Sequence, residues 1–161
     1  MEGGRLLVER YGEQHPEVAL AASYLAEITV KDDPEVAARI MERAVGDLRN
    51  SLGPEDRRVM DAAVRLGKLY SQAGENGLSE ETLRDGLTVM DAALGPDDPL
   101  RYEALKALGE TQQFLAKLEE ARQTLERAAR VADEIAVSPR EAVFRRIADE
   151  IASEVSGKLL R

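Results

Sequence analysis

Residues 52–71 read LGPEDRRVMDAAVRLGKLYS, and this stretch decides the fold because the chain contains it more than once. Residues 94–113, LGPDDPLRYEALKALGETQQ, and residues 11–30, YGEQHPEVALAASYLAEITV, fall into register with it. Gly12, Gly53 and Gly95 align at spacings of 41 and 42 residues. Leu25, Leu66 and Leu108 then coincide, followed by the small residues Ala26, Gly67 and Gly109. Outside these stretches the periodicity persists. Ala44, Gly86 and Ala128 recur every 42 residues, preceded by Met41, Leu83 and Leu125 and by Ala37, Ser79 and Ala121. A period in this range, carried by two matching halves per unit, is the mark of a repeat array. The first unit is one residue short between Lys31 and Pro34, where a loop absorbs the difference.

Each unit reads as a pair of helices. Asp33-Pro34, Asp98-Pro99, His15-Pro16 and Ser138-Pro139 each set a capping side chain before a proline at the first helical position. Proline is tolerated there because that N–H has no partner inside the helix. Gly12, Gly53 and Gly95 suit left-handed C-terminal caps, and GENG at 74–77 breaks the second unit. The pattern predicts helices at about 4–10, 16–31, 34–51, 56–73, 78–93, 98–115, 118–136 and 139–158. Glycine costs roughly 1 kcal/mol in mid-helix relative to alanine. Gly67 and Gly109 are therefore expected where a neighbouring helix must come close.

Composition agrees with an all-α chain. Hydrophobic residues make up 43% of the 161, aromatics only 4%, and there is no Trp. The core must be built from Ala, Leu, Val and Ile. A net charge of −9 argues against nonspecific binding to nucleic acid or an anionic membrane. No apolar run reaches the length of a membrane span, and the first residues lack the apolar stretch of a signal peptide. Cysteine is absent, which removes thiol nucleophiles and zinc–thiolate sites. These features predict a cytoplasmic protein that binds neither nucleic acid nor membrane.

The inventory leaves little for catalysis. His15 is the only histidine, so any histidine-based triad would have to use it. It aligns with Asp56 and Asp98 at a helix start and reads as a cap. GENG lacks the Lys and Ser/Thr of a phosphate loop. The acidic pairs Asp32-Asp33, Glu80-Glu81, Asp97-Asp98 and Glu119-Glu120 sit near helix N-termini, where carboxylates favour the dipole. No alternating calcium loop is present. The expectation is a non-enzyme without metal or cofactor.

The junctions YGEQHP, LGPEDR and LGPDDP, together with the Ala63, Leu66, Gly67, Tyr70 pattern, resemble the tetratricopeptide repeat in its long, kinesin-light-chain-like form. Leu105, Leu108, Gly109 and Gln112 repeat the pattern, as do Ala22, Leu25, Ala26 and Thr29. A partial fourth copy stands at Phe144, Ile147, Ala148 and Ile151. The sequence departs from the pattern at Arg57, where the junction proline is lost, at Gly86, where helix B usually has Ala, and at two of the three aromatic positions.

The resemblance implies antiparallel helix pairs stacked into one right-handed superhelix over residues 1–161. An N-terminal helix (1–10) would precede pairs at 11–51, 52–93 and 94–137, and a capping helix would follow at 138–161. It also implies a protein-interaction module whose concave groove, lined by the first helix of each pair, holds a peptide or partner helix. Unit by unit, the groove positions are Ser23, Tyr24, Glu27 and Lys31; Val64, Arg65, Lys68 and Gln72; Lys106, Glu110, Gln113 and Phe114; and Arg145 with Arg146 on the last helix. Arg65, Lys68, Lys106 and Arg145 would make a basic stripe suited to an acidic peptide, diluted by Glu27 and Glu110. The alternative is a structural or self-assembling scaffold that makes contact through outer or terminal helices. The last helix carries Val143, Phe144, Ile147, Ile151 and Val155 on one face, which could serve a homodimer.

Overall fold

The computed structural model describes residues 8–12 and 15–137. Residues 8–11 are helical. Six helices follow: α1 (Pro16–Thr29), α2 (Pro34–Leu52), α3 (Arg57–Gln72), α4 (Asn76–Ala93), α5 (Pro99–Phe114) and α6 (Leu118–Val137). There is no strand among the described residues. Each helix packs on its neighbours in sequence, and α3 also packs directly on α5. This is an all-α solenoid of antiparallel pairs. The direct α3–α5 contact puts the first helices on the inner row. The expected helix at 139–158 and the groove positions Arg145 and Arg146 lie outside the described residues.

The helix starts follow from the capping residues. The side chains of Asp33, Asp56 and Asp98 accept hydrogen bonds from the N–H groups of Val36, Arg58 and Leu100, at 3.0, 2.9 and 2.9 Å. His15 does the same for Glu17, through Nδ1 at 3.2 Å, while its ring stacks on Tyr11. The histidine is thus a cap of the same kind as the aligned aspartates. Gly12 and Gly53 adopt φ of 84° and 85°, as C-terminal caps require.

Gly95 departs from the expectation, since it has no left-handed φ. Helix α4 ends at Leu94 in an extended conformation instead. The left-handed residues inside the second and third units are Gly74 (φ 83°) and Ala116 (φ 58°). The two are 42 residues apart and share their hydrogen bonds. Gly74 donates to Ser71 and Ala116 to Gln113; the following N–H groups donate to Tyr70 and Gln112. An alanine in that conformation costs about 1–2 kcal/mol.

Small residues set the pair spacing. A Cβ on Gly67 would stand 2.5 Å from Leu83 Cγ, and one on Gly109 would stand 2.6 Å from Leu125 Cγ. In the first pair Ala26 and Met41 take these positions, both wholly buried. Two buried clusters result. One joins Ala19, Ala26, Met41, Leu48, Leu66 and Leu69; the other joins Met60, Leu83, Met90, Leu105, Leu108 and Val131. Helix α3 contributes to both, so the core runs on through the stack, as repeat arrays require. At the third aromatic position Gln112 is fully buried. With its amide nitrogen donating to Thr124 Oγ1 at 2.8 Å and its oxygen accepting from Arg84 at 3.0 Å, it is satisfied where Tyr70 supplies a ring.

Candidate partner-binding surface

The inner row is built by α1, α3 and α5, whose first turns are fixed by the junction caps. Arg57, the residue that breaks the junction pattern, reaches across one repeat to the cap of α5. Its guanidinium donates to both carboxylate oxygens of Asp98, at 2.6 and 3.0 Å. Asp98 therefore caps its own helix and ties it to α3. The hydrogen bonds from Arg57 outweigh partial burial and hold the Asp98 carboxyl below its usual range. Asp56, bonded by Arg58, is lowered to about 2.

Further along the row the cations are paired. Arg65 donates to Glu27 at 2.8 Å and bridges to Asp61 at 2.7 Å, with its guanidinium 5.8 Å from the centre of the Tyr24 ring. Lys68 donates to Glu103 at 2.7 Å, which lowers the Glu103 carboxyl. Two cations of the basic stripe anticipated from the sequence, Arg65 and Lys68, thus form ion pairs across adjacent first helices. Glu27 and Glu103 lie one repeat from Arg65 and Lys68, whereas Asp61 is on the same helix as Arg65.

The row ends in a cleft of about 340 Å³ between α3 and α5. Lys68, Ser71, Gln72, Ala107, Glu110, Thr111 and Phe114 line it. Phe114 is 73% exposed, an unusual state for an aromatic in a chain with so few. Several expected groove residues therefore come together: Tyr24 with Glu27 and Arg65, and Lys68 with Gln72, Glu110 and Phe114.

Others do not join them. Ser23 and Val64 are buried in the packing, and Ser23 donates to the Leu20 carbonyl at 2.7 Å. Lys31 lies beyond the end of α1, in the turn. Gln113 faces a different cleft, with Leu118, Arg122 and Leu125. Lys106 is exposed but lines neither cleft. The sequence reading missed Ser71, Ala107 and Thr111 as lining residues. Their register on the row could have found them, because Ser71 lies three residues from Lys68, Thr111 three from Phe114 and Ala107 three from Glu110.

The buried carboxylate Glu80 is the place to look for a general base. Its burial raises its affinity for protons, but Lys117 at 2.7 Å and Arg84 at 3.0 Å outweigh that and hold it lowered. A base poised near neutrality needs the opposite shift. Among the described residues no group of three His, Asp or Glu could hold a metal, and no helix is long and apolar enough to cross a membrane.

Comparison with known proteins places part of the chain beside a repeat family. Residues 58–134 match the tetratricopeptide repeat family. No curated protein matches the chain. Among solved structures it is similar to a Podosopora anserina protein assigned as a kinesin light chain with nearly identical TPR-like repeats. The TM-score is 0.71 at 18% identity, covering 84% of this chain and 64% of that one. A single-substitution variant of that protein gives 0.73 at 18% identity, with the same coverage. The chain therefore spans under two thirds of the length of these structures, and at such identity the likeness is one of fold.

Proposed function

From its place among the tetratricopeptide repeat proteins, with repeats of the kinesin-light-chain type, we propose that the chain is a non-catalytic interaction module. Repeats of this kind serve generally in protein–protein recognition. In this reading the inner row of α1, α3 and α5 holds an extended peptide or a partner helix. The observation that carries it is Phe114, largely exposed at the mouth of the α3–α5 cleft. An exposed aromatic beside satisfied polar groups is the composition of an interaction hot spot.

The ion pairs along the row refine the ligand. An acidic peptide would have to displace Glu27 from Arg65 and Glu103 from Lys68. A segment with an apolar anchor for the Phe114 cleft and mixed charge along the Tyr24–Lys68 stretch meets the surface without that cost. The protein acts by tethering, in the cytoplasm, as an adaptor or regulator. Co-purification with tagged chain tests this. A partner held by the wild-type chain is expected to be lost from the Phe114→Ser and Arg65→Glu/Lys68→Glu variants. Retention by both would remove the inner row as the site.

A further inference from the structure

Helices α2 and α4 both pack on α3, and between them, on the outer side of the stack, lies a cleft of about 300 Å³. Its floor holds Val59, Met60 and Ala63 of α3 and Gly86 of α4, with Arg49 on the α2 wall and Asp85 on the α4 wall. A shift of 42 residues leads to the corresponding place between α4 and α6, over α5. There Arg101, Tyr102, Leu105 and Ala128 replace Val59, Met60, Ala63 and Gly86. Each replacement is larger, and Leu105 and Ala128 are buried. The cleft over α3 is therefore volume that the next copy of the repeat fills with its own side chains.

The charges at the two places are reversed. Asp91 of α4 accepts from Arg101 at 2.7 Å and from Arg127 of α6 at 3.1 Å, so one carboxylate joins two guanidinium groups. The Arg101 side chain is only 17% exposed, so its stem is taken into the structure along with its head. One copy earlier, Arg49 stands in the register of Asp91, Asp85 in that of Arg127 and Val59 in that of Arg101. Two members of the triad are thus present with their signs exchanged, and the third is an uncharged valine. Among the described residues, neither the Arg49 nor the Asp85 side chain has an ion pair or hydrogen bond. We propose that this cleft receives an acidic side chain, a glutamate, from a partner protein. Its stem lies on Val59 and Ala63 and its carboxylate on Arg49, and Asp85 closes on the guanidinium as Arg127 does on Asp91.

The register selects the occupant. Asp91 holds the head of the inserted side chain in the filled copy, and its equivalent here is Arg49. A cationic head there is repelled, whereas a carboxylate gains charge-assisted hydrogen bonds from a guanidinium that has none to give up. On the inner row, by contrast, an acidic ligand must displace Glu27 or Glu103. Arg49 is exposed, and an exposed ion pair alone contributes little. The methylenes of the glutamate stem, buried on the floor, add the rest. A second copy of the chain is a poor source of the acid, because two bodies of net charge −9 repel. The contact is independent of the inner row, and either can hold without the other.

The probe is the peptide acetyl-Leu-Glu-Leu-amide, with acetyl-Leu-Gln-Leu-amide as its uncharged match, added to the full chain with isotope-labelled Met, Ala and Val methyls. The expected result with the glutamate peptide is saturable shifts of the methyls of Met60, Ala63 and Val89, which also lines the cleft. The change to the glutamine peptide, or Arg49→Gln in the chain, should weaken binding at least ~10-fold. Arg49 is exposed, so the circular dichroism of that variant should match wild type. Ala63→Leu, which installs the residue of the next copy, should fill the floor and weaken binding likewise. Equal binding of the two peptides, or binding indifferent to Arg49→Gln, would overturn the proposal. Absence of shifts would do so too, whether the cleft takes nothing or is already held by the chain's own residues. So would dilution-dependent shifts of these methyls without peptide, which would make a second copy the occupant.

Discussion

Alanine should have opposite effects at two mid-helix glycines. At either site the helix gains about 1 kcal/mol from the better intrinsic propensity of alanine. At Gly86 nothing opposes that gain, since the nearest atoms to an added Cβ are Met90 Cε at 3.7 Å and Ala63 Cβ at 3.9 Å. These are ordinary contacts, and Ala44 and Ala128 already hold the aligned positions. At Gly67 the Cβ would meet Leu83 Cγ at 2.5 Å, Cδ2 at 2.7 Å and Cδ1 at 3.1 Å. Leu83 is buried and clashes at its branch point, so rotating a terminal methyl gives no relief. Helices α3 and α4 must then separate or Leu83 must leave its rotamer, at roughly 1–3 kcal/mol. Gly86→Ala is expected to stabilise by about 1 kcal/mol, and Gly67→Ala to destabilise by up to ~2 kcal/mol after the propensity gain. Urea unfolding followed by circular dichroism at 222 nm measures both. Leu83→Ala alone should cost roughly 2–5 kcal/mol. Combined with Gly67→Ala it should cost clearly less than the sum, because the new methyl enters the vacated space. If Gly67→Ala stabilises the chain as much as Gly86→Ala does, the close-approach account of the repeat is wrong.

Ala116→Gly should raise stability by up to ~1 kcal/mol in the same assay, because it relieves the left-handed strain that Gly74 avoids. Arg57→Ala and Asp98→Asn should each destabilise modestly and non-additively, with a coupling of about 0.5–1 kcal/mol between the exposed Arg57 and the half-buried Asp98, read from a double-mutant cycle. Asn keeps the cap in that experiment, so the coupling reports the junction tie. The lowered carboxyl of Asp98 contributes stability above its unfolded pKa of about 3.9, and this is lost as the pH falls through its folded value. Acid unfolding of wild type should therefore steepen below about pH 4, and Asp98→Asn should be flatter there. His15→Asp should preserve thermal stability, since Asp56 and Asp98 make the same cap, while His15→Ala should lose about 0.5–1 kcal/mol.

Much of this molecule could be read from the sequence because its local rules agree with one another. Proline after a capping residue marks the starts of α1, α2 and α5. The aligned Ala26, Gly67 and Gly109 mark the close approaches. Gly95 misleads because a glycine after a helix can also sit in a turn without a positive φ, and Leu94 ends α4 in an extended conformation. The surface was less legible. The resemblance to the repeat family implied inner-row places for Arg65 and Lys68. Their partners Glu27 and Glu103 lie 38 and 35 residues away, a distance only the superhelical stacking can bring within reach. Gln113 and Phe114 are adjacent in sequence, yet they line different clefts, because a step of about 100° around α5 carries one past the edge of the row.

The central claim is that partners are held on the inner row formed by α1, α3 and α5. Amide and methyl shift mapping of the chain bound to its co-purified partner tests it most directly. The account predicts changes concentrated at Tyr24, Arg65, Lys68, Gln72, Glu110 and Phe114. Changes centred instead on the outer helices, at Asp85, Arg127 and Arg130, would contradict it.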